Sequence, residues 1–126
     1  MLFKEVGYKL NWIDSNDTFV GYDTSTDCCE HADWFVADCI VDTYEGYSAI
    51  TGSADAGQGD IEWDLYDFDR SFGIVFDNAL DGGGIAVFLM LPKEGKAVKY
   101  LHLFNSHNGY YGHGFYSNTV IGNGGL

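Results

Sequence analysis

The stretch "SFGIVFDNALDGGGIAVFLML" (residues 71–91) contains two apolar runs separated by a glycine-rich segment. The runs "SFGIVFD" and "GIAVFLML" carry apolar side chains on both alternating faces, which is typical of strands buried on two sides. The intervening "NALDGGG" contains glycines, which take the positive φ values that tight hairpin loops require. The stretch therefore predicts two central strands joined as a β-hairpin, and the rest of the predicted fold is arranged around this pair.

The N-terminal segment predicts a second hairpin. Apolar and polar residues alternate from Val6 to Trp12, which is the pattern of a half-buried strand. "DSND" (14–17) predicts a turn, because Asp, Ser and Asn side chains hydrogen-bond to nearby backbone groups. "TFVGYDT" (18–24) alternates again and predicts the returning strand.

Three further segments predict strands, namely "IEWDL" (61–65), "AVKYLHLF" (97–104) and "GFYSNTVI" (114–121). Cys28–Ile40 is ambiguous, because its apolar residues fall at helical spacing while its aromatic and β-branched residues favour a strand. "DTYEGYSAI" (42–50) is a candidate for a second helical turn.

These elements predict a mostly β fold, with α+β as the alternative. We expect residues 1–126 to form a single domain, an antiparallel β-sandwich or β-roll of about seven short strands with one or two short helices. Asp27 and Glu30 have the spacing of a capping box, which would begin a helix there.

Composition and charge restrict the function. The chain has a net charge of −13, so its surface repels nucleic-acid phosphates and anionic membranes and favours basic partners. No apolar run is long enough to span a membrane, and the first residues lack a signal-peptide pattern. The three cysteines form a poor disulfide framework, which indicates reduced thiols and a cytoplasmic location.

Two short motifs resemble a known family. "DCCE" (Asp27–Glu30) follows a strand–turn–strand segment, and "NGYY" (Asn108–Tyr111) precedes a short strand. In this order they resemble a family of small uncharacterised proteins from bacteria and phages, a domain of unknown function. Residues 51–96 depart from the family pattern. The resemblance implies a bacterial or phage setting and transfers no catalytic residue to this chain.

The acidic residues of "GDIEWDLYDFD" (59–69) predict a negative binding face. In a strand, Glu62 and Asp64 would point to the same side, about 7 Å apart. The predicted face consists of Asp60, Glu62, Asp64, Asp67 and Asp69. We therefore predict a non-enzymatic protein-interaction module that binds a basic partner. A solvated strand face without a binding role is the competing interpretation.

The alternative function is a small metal- or thiol-dependent enzyme. The residues that could form its site are Cys28, Cys29, His31, His107 and His113. Adjacent cysteines lack the separation that zinc ligands usually have, and the surrounding carboxylates disfavour a thiolate. We therefore predict no metal and no cofactor, and we interpret His102, within an apolar strand, as a core residue.

The first testable prediction concerns the cysteines. We expect the purified protein to contain reduced thiols and no stoichiometric metal, because the cysteine spacing does not suit a shared ion. Elemental analysis and thiol titration measure both quantities. About one zinc ion per chain, the stoichiometry of a structural site, would contradict the prediction.

Overall fold

The computed structural model describes residues 1–25, 30–42, 57–59, 61–80, 83–95, 97–106 and 112–126, with the backbone alone described over 77–80. Within these ranges the chain forms ten strands and a 3₁₀ turn over Trp63–Leu65. The strands are β1 (Leu2–Val6), β2 (Lys9–Ile13), β3 (Phe19–Asp23), β4 (His31–Ala37), β5 (Tyr66–Phe68), β6 (Ile74–Leu80), β7 (Gly83–Pro92), β8 (Lys99–Ser106), β9 (Gly114–Ser117) and β10 (Gly124–Gly125).

The strands form two antiparallel sheets. The first sheet has the order β1-β2-β3-β9-β10, and the second has the order β4-β8-β7-β5, with β6 also pairing with β7. Buried side chains of both sheets, such as Trp12 and Val20 from the first and Phe88 and Leu101 from the second, belong to one hydrophobic cluster. The fold is therefore a mostly β sandwich, which confirms the predicted class.

The predicted central hairpin is confirmed as β6 and β7. Strand β7 is buried on both faces, since Phe88 contributes to the cluster between the sheets while Val87 contributes to a second cluster. At Gly83 the neighbouring strand β8 comes so close that a Cβ atom would lie 1.7 Å from the carbonyl oxygen of Asn105. Glycine is therefore required at the start of β7.

Four aromatic rings pack together between the two sheets, and two of them, Phe3 and Trp63, are only partly buried. The ring of Phe3 stacks on Trp12 with centroids 4.9 Å apart, and Trp12 meets Trp34 of the opposite sheet edge-on at 5.5 Å. Trp63, in the 3₁₀ turn, completes the group at 5.3 Å from Phe3. Because aromatic side chains bury the largest apolar areas, this cluster contributes much of the stability that holds the sheets together.

The second sheet is also covered on its outer side. Phe35, Ile85 and Phe104 are fully buried there, and the partly buried Phe72 and Tyr100 pack against them. The outer face of the first sheet differs, because its side chains are exposed to solvent in the pattern described below. The sandwich thus leaves one broad sheet face open.

The strand predicted from Val6 to Trp12 is wrong in its boundaries. The chain reverses at Gly7, which has a φ of 60°, and Tyr8, so that β1 and β2 form a hairpin in which Val6 pairs with Lys9. Alternation continues through a two-residue turn, so the pattern of apolar residues does not reveal the reversal. The predicted turn at 14–17 and the returning strand β3 are confirmed.

Two other predictions are corrected. Cys28–Ile40 contains a strand, His31–Ala37, rather than a helix, because these residues pair with β8 along their whole length. "IEWDL" forms the 3₁₀ turn rather than a strand. Asp27, residues 43–50 and the "NGYY" motif lie outside the described residues. In the described part of the chain, no helix is long and apolar enough to cross a membrane.

The buried carboxylate of Asp14 joins the two sheets. Its Oδ1 accepts hydrogen bonds from the backbone N–H groups of Asn16 and Thr18, at 2.8 and 2.9 Å, in the turn between β2 and β3. Its Oδ2 accepts a bond of 2.9 Å from the backbone N–H of Phe68 in β5. A carboxylate accepts bonds through both oxygens, so one side chain fixes the turn and ties it to the opposite sheet.

The second prediction is that Asp14→Asn lowers the free energy of unfolding by on the order of 2 kcal/mol. The amide nitrogen of asparagine cannot accept the Phe68 N–H, so a buried donor loses its partner. Asp17→Asn is the matched control, because Asp17 is exposed in the same turn, at a φ of 61° that asparagine tolerates. Urea denaturation of the two variants checks the difference, and equal losses would contradict it.

Candidate binding face on the first sheet

The outer face of the first sheet is built by the period-two alternation of its strands. Leu10, Trp12, Val20 and Tyr22 point into the core, so their sequence neighbours point outward. The outward side chains lie in three cross-strand rows, which are Leu2, Ile13 and Phe19; Lys4, Asn11, Gly21 and Tyr116; and Val6, Lys9 and Asp23.

The first row forms an apolar strip, defined as Leu2, Ile13 and Phe19. These side chains are 55 %, 42 % and 40 % exposed. They are consecutive cross-strand neighbours, because Ile13 pairs with both Leu2 and Phe19. Single exposed apolar residues are common on proteins, whereas adjacent ones mark interaction sites more often.

The acidic residues predicted as a binding face lie close to the end of this strip. Glu62 and Asp64 are exposed, but they belong to the 3₁₀ turn and do not share a strand face. The turn lies beside β1, since the nitrogen of Met1 donates to the carbonyl oxygens of Trp63 and Tyr66 at 2.6 and 3.1 Å. Asp60 lies outside the described residues.

Asp67 and Asp69 have structural partners. Asp67 Oδ1 accepts from the backbone N–H and the hydroxyl of Ser15, at 3.1 and 2.8 Å, and lies 3.8 Å from the ammonium of Lys93. Partial burial raises the pKa of Asp67, but the two Ser15 bonds and the Lys93 charge outweigh it, so the pKa is lowered. Asp69 accepts from the backbone N–H of Ser71 at 2.9 Å.

The premise that Glu62 and Asp64 share a strand face is therefore wrong, while the acidic binding face itself stays a prediction. Among its described members, Glu62 and Asp64 are exposed to solvent, whereas Asp67 and Asp69 accept hydrogen bonds from Ser15 and Ser71. Asp67 ties β5 to the turn after the strip, through Ser15. Asp64, with Glu62 directly before the turn, lies in a 3₁₀ turn beside β1, the strand that carries Leu2.

The cysteine and histidine site has only two members within the described residues. Cys28, Cys29 and His107 lie outside them, while His31 begins β4 and His113 precedes β9. In the described ranges, no group of three or more histidine, cysteine, aspartate or glutamate side chains is placed to hold a metal ion.

His113 is buried and both of its ring nitrogens are engaged. Nδ1 lies 2.8 Å from the carbonyl oxygen of Asp23, which can only accept, so Nδ1 carries a proton. Nε2 lies 2.9 Å from a carboxylate oxygen of Glu30, also buried. A histidine held in this way has no nitrogen left for a substrate, so the geometry suits a structural role. Glu30, predicted as part of a capping box, instead bridges to the segment before β9.

Tyr22 packs beside this pair and is held neutral. Burial, with the nearby charges of Glu30, Asp33 and Asp23, raises the pKa of its phenol. The hydroxyl donates a 2.8 Å bond to the carbonyl oxygen of Phe104 in the second sheet. Tyr22 therefore joins the sheets at this end and does not supply an acid or base at neutral pH.

His102 is the satisfied core residue that the sequence predicts. Its Nδ1 donates to the carbonyl oxygen of Tyr100 at 3.0 Å, and its Nε2 accepts from the backbone N–H of Val41 at 2.9 Å. The ring stacks on Phe35 with centroids 4.4 Å apart. Desolvation by burial lowers the pKa of His102 from 6.5 to about 4, so the ring is neutral in the folded protein.

Comparisons with protein-family models, with curated protein sequences and with solved structures give no match to this chain. The sequence analysis did not predict the apolar strip. The alternation within "TFVGYDT" could have shown that Phe19 points to the opposite face of the strand from the buried Val20. Leu2 was missed because β1 itself was not predicted.

The third prediction concerns the pH dependence of stability. The pKa of His102 is lower in the folded state, about 4, than its ordinary value of 6.5, so the unfolded chain takes up the proton first as the pH falls. The stabilisation is complete above pH 6.5 and is lost towards pH 4, amounting to about 3 kcal/mol at most.

His102→Gln removes this titration while keeping a side chain that can donate and accept. We expect the free energy of unfolding of the variant to fall less between pH 6.5 and pH 4 than that of the wild type. Denaturant titrations at several pH values measure the slopes. Parallel slopes for the two proteins would contradict the prediction.

Proposed function

We propose that this chain is a non-catalytic protein-interaction module that binds a basic protein through the apolar strip and the carboxylates beside it. The observation that carries the proposal is the adjacency of Leu2, Ile13 and Phe19, which are exposed together on the outer face of the first sheet. Burying such a strip against a partner is the main favourable term in protein association.

The electrostatics support a basic partner. The chain carries a net charge of −13, and Glu62 and Asp64 are exposed at the turn that lies beside β1. Asp17 is exposed in the turn that connects Ile13 to Phe19. Charges at the border of an interface mainly steer association, while the apolar centre sustains the complex once it has formed.

The histidines give less support to the alternative of a thiol-dependent enzyme. His113 uses both ring nitrogens in buried hydrogen bonds, and His102 is enclosed in the core. A general base needs a nitrogen within reach of the proton that it removes. Of the two functions considered, the interaction module is therefore the one that the described geometry favours.

The setting follows from the sequence. The resemblance of "DCCE" and "NGYY" to small bacterial and phage proteins suggests a bacterial or phage-encoded partner. The odd number of cysteines suggests that binding takes place in the reducing cytoplasm.

The fourth prediction is that the triple variant Leu2→Thr, Ile13→Thr, Phe19→Thr loses the partner while remaining folded. Threonine retains a high strand propensity and removes the apolar surface. Val120→Thr is the control, because Val120 is also exposed, at 65 %, and lies outside the strip. Affinity capture from lysate of the source organism, followed by mass spectrometry, measures the bound proteins.

Charge reversal provides an independent arm of the same experiment. Glu62→Lys with Asp64→Lys should slow association and reduce its sensitivity to salt, since these residues contribute to steering. The captured proteins should be basic, and they should be absent from the strip variant. Equal capture by the wild type, the strip variant and the control would contradict the proposal.

A further inference from the structure

A second feature of the same sheet face is the placement of Tyr116. Its cross-strand partner is Gly21, and Gly114 lies two residues before it on β9. Measured from the positions that Cβ atoms would occupy, Gly21 lies 3.9 Å from Cδ2 of the Tyr116 ring and Gly114 lies 3.5 Å from its hydroxyl oxygen. The ring therefore lies along the sheet over two glycines, with its other face towards solvent.

The ring of Tyr116 is more than half open to solvent. Tyr116 is 56 % exposed, although a neighbouring side chain at position 21 or 114 could have covered part of it. Since both positions are glycine, the ring of Tyr116 lies directly over the backbone of the sheet. We call this exposed ring the platform. A platform of this kind offers an aromatic face for stacking.

The polar side chains of Lys9, Asn11 and Asp23 line a groove of about 170 Å³ together with Tyr116. Lys9 and Asp23 are cross-strand partners on one side, and Asn11 pairs with Gly21 on the other. Hydrogen bonds from Ser25 lower the pKa of Asp23, so its carboxylate is ionised at neutral pH. The groove thus offers an ammonium donor, a carboxylate acceptor and an amide that does both.

The charges select against ionic ligands. An anion would enter against the overall charge of −13. A cation is attracted by that overall charge, but within the groove it would approach the ammonium of Lys9 and lie near Lys4, which pairs with Asn11. The charges of Lys9 and Asp23 cancel. A neutral ligand with many hydroxyl groups therefore meets no charge repulsion, and it can form hydrogen bonds with each polar side chain of the groove.

We propose that this groove binds one neutral hexopyranose ring of a saccharide, with the C–H face of the sugar stacked on Tyr116. The hydroxyl groups at the rim of the sugar ring then donate to Asp23 and accept from Lys9, and Asn11 takes either role. A single stacked ring gives weak binding, with a Kd of about 1 mM, which is typical of a small contact.

This site is independent of the proposed protein partner. Leu2, Ile13 and Phe19 do not line the groove. The strip variant should therefore keep saccharide binding, and a groove variant should keep the protein partner. Failure of one proposal is thus distinguishable from failure of the other.

The test is a ¹⁵N-labelled NMR titration with six-ring saccharides of matched size. The neutral probes are cellohexaose, maltohexaose and hexa-N-acetylchitohexaose; the anionic probe is hexagalacturonate and the cationic probe is chitosan hexamer. We expect at least one neutral probe to shift the amide signals of Gly21, Asp23 and Tyr116. Absence of shifts with all three neutral probes, or shifts with a charged probe alone, would overturn the proposal.

Variants then assign the contact. Tyr116→Ala should weaken binding of the active probe by about tenfold or more, whereas Tyr116→Phe should retain it because the ring remains. Tyr8→Ala is the matched control, since Tyr8 is 66 % exposed and does not line the groove. Dispersed amide spectra verify that each variant is folded. Equal affinity of Tyr116→Ala and Tyr8→Ala would overturn the assignment.

Discussion

The carboxylate of Asp14 is the connection on which the arrangement of the sandwich depends. It stands at the end of β2, fixes the following turn through two backbone N–H groups and binds β5 through a third. Neighbouring contacts follow from this position, including the bond from Ser15 to Asp67 and that from the guanidinium of Arg70 to Thr18. The turn between Ile13 and Phe19, two members of the apolar strip, is thereby held against the second sheet.

The parts of the fold that sequence predicts are those with a local signal. The hairpin of β6 and β7 and the strand β8 combine long apolar runs with glycine loops, and each is found where the pattern places it. The alternative of a helix over Cys28–Ile40 was wrong. Its apolar residues have helical spacing, but pairing of His31–Ala37 with β8 determines the conformation. The strand predicted over residues 61–65 was also wrong. An alternating pattern suits a short turn as well, when the turn packs one large ring, here that of Trp63, against the core.

The candidate surfaces were harder to predict, because they join residues that are distant in sequence. Ile13 and Phe19 are close in the chain, but Tyr116 reaches Gly21 only through the pairing of β3 with β9. Neither motif nor spacing indicates that register. The residues singled out for chemistry behave differently, as His102 and His113 use their nitrogens to satisfy backbone and carboxylate groups. In this fold both of these buried histidines serve as polar connectors.

The pairing of β3 with β9 also bears on how the chain is made. Translation completes β1, β2 and β3 long before β9, and the strands of the second sheet that cover Trp12 and Val20 emerge in between. Until then the nascent three-stranded segment exposes apolar side chains on its inner face as well as Leu2, Ile13 and Phe19 on its outer face. Such a segment is prone to aggregation on the ribosome. The long separation of β3 and β9 in the chain thus lengthens the interval during synthesis in which this apolar surface is uncovered.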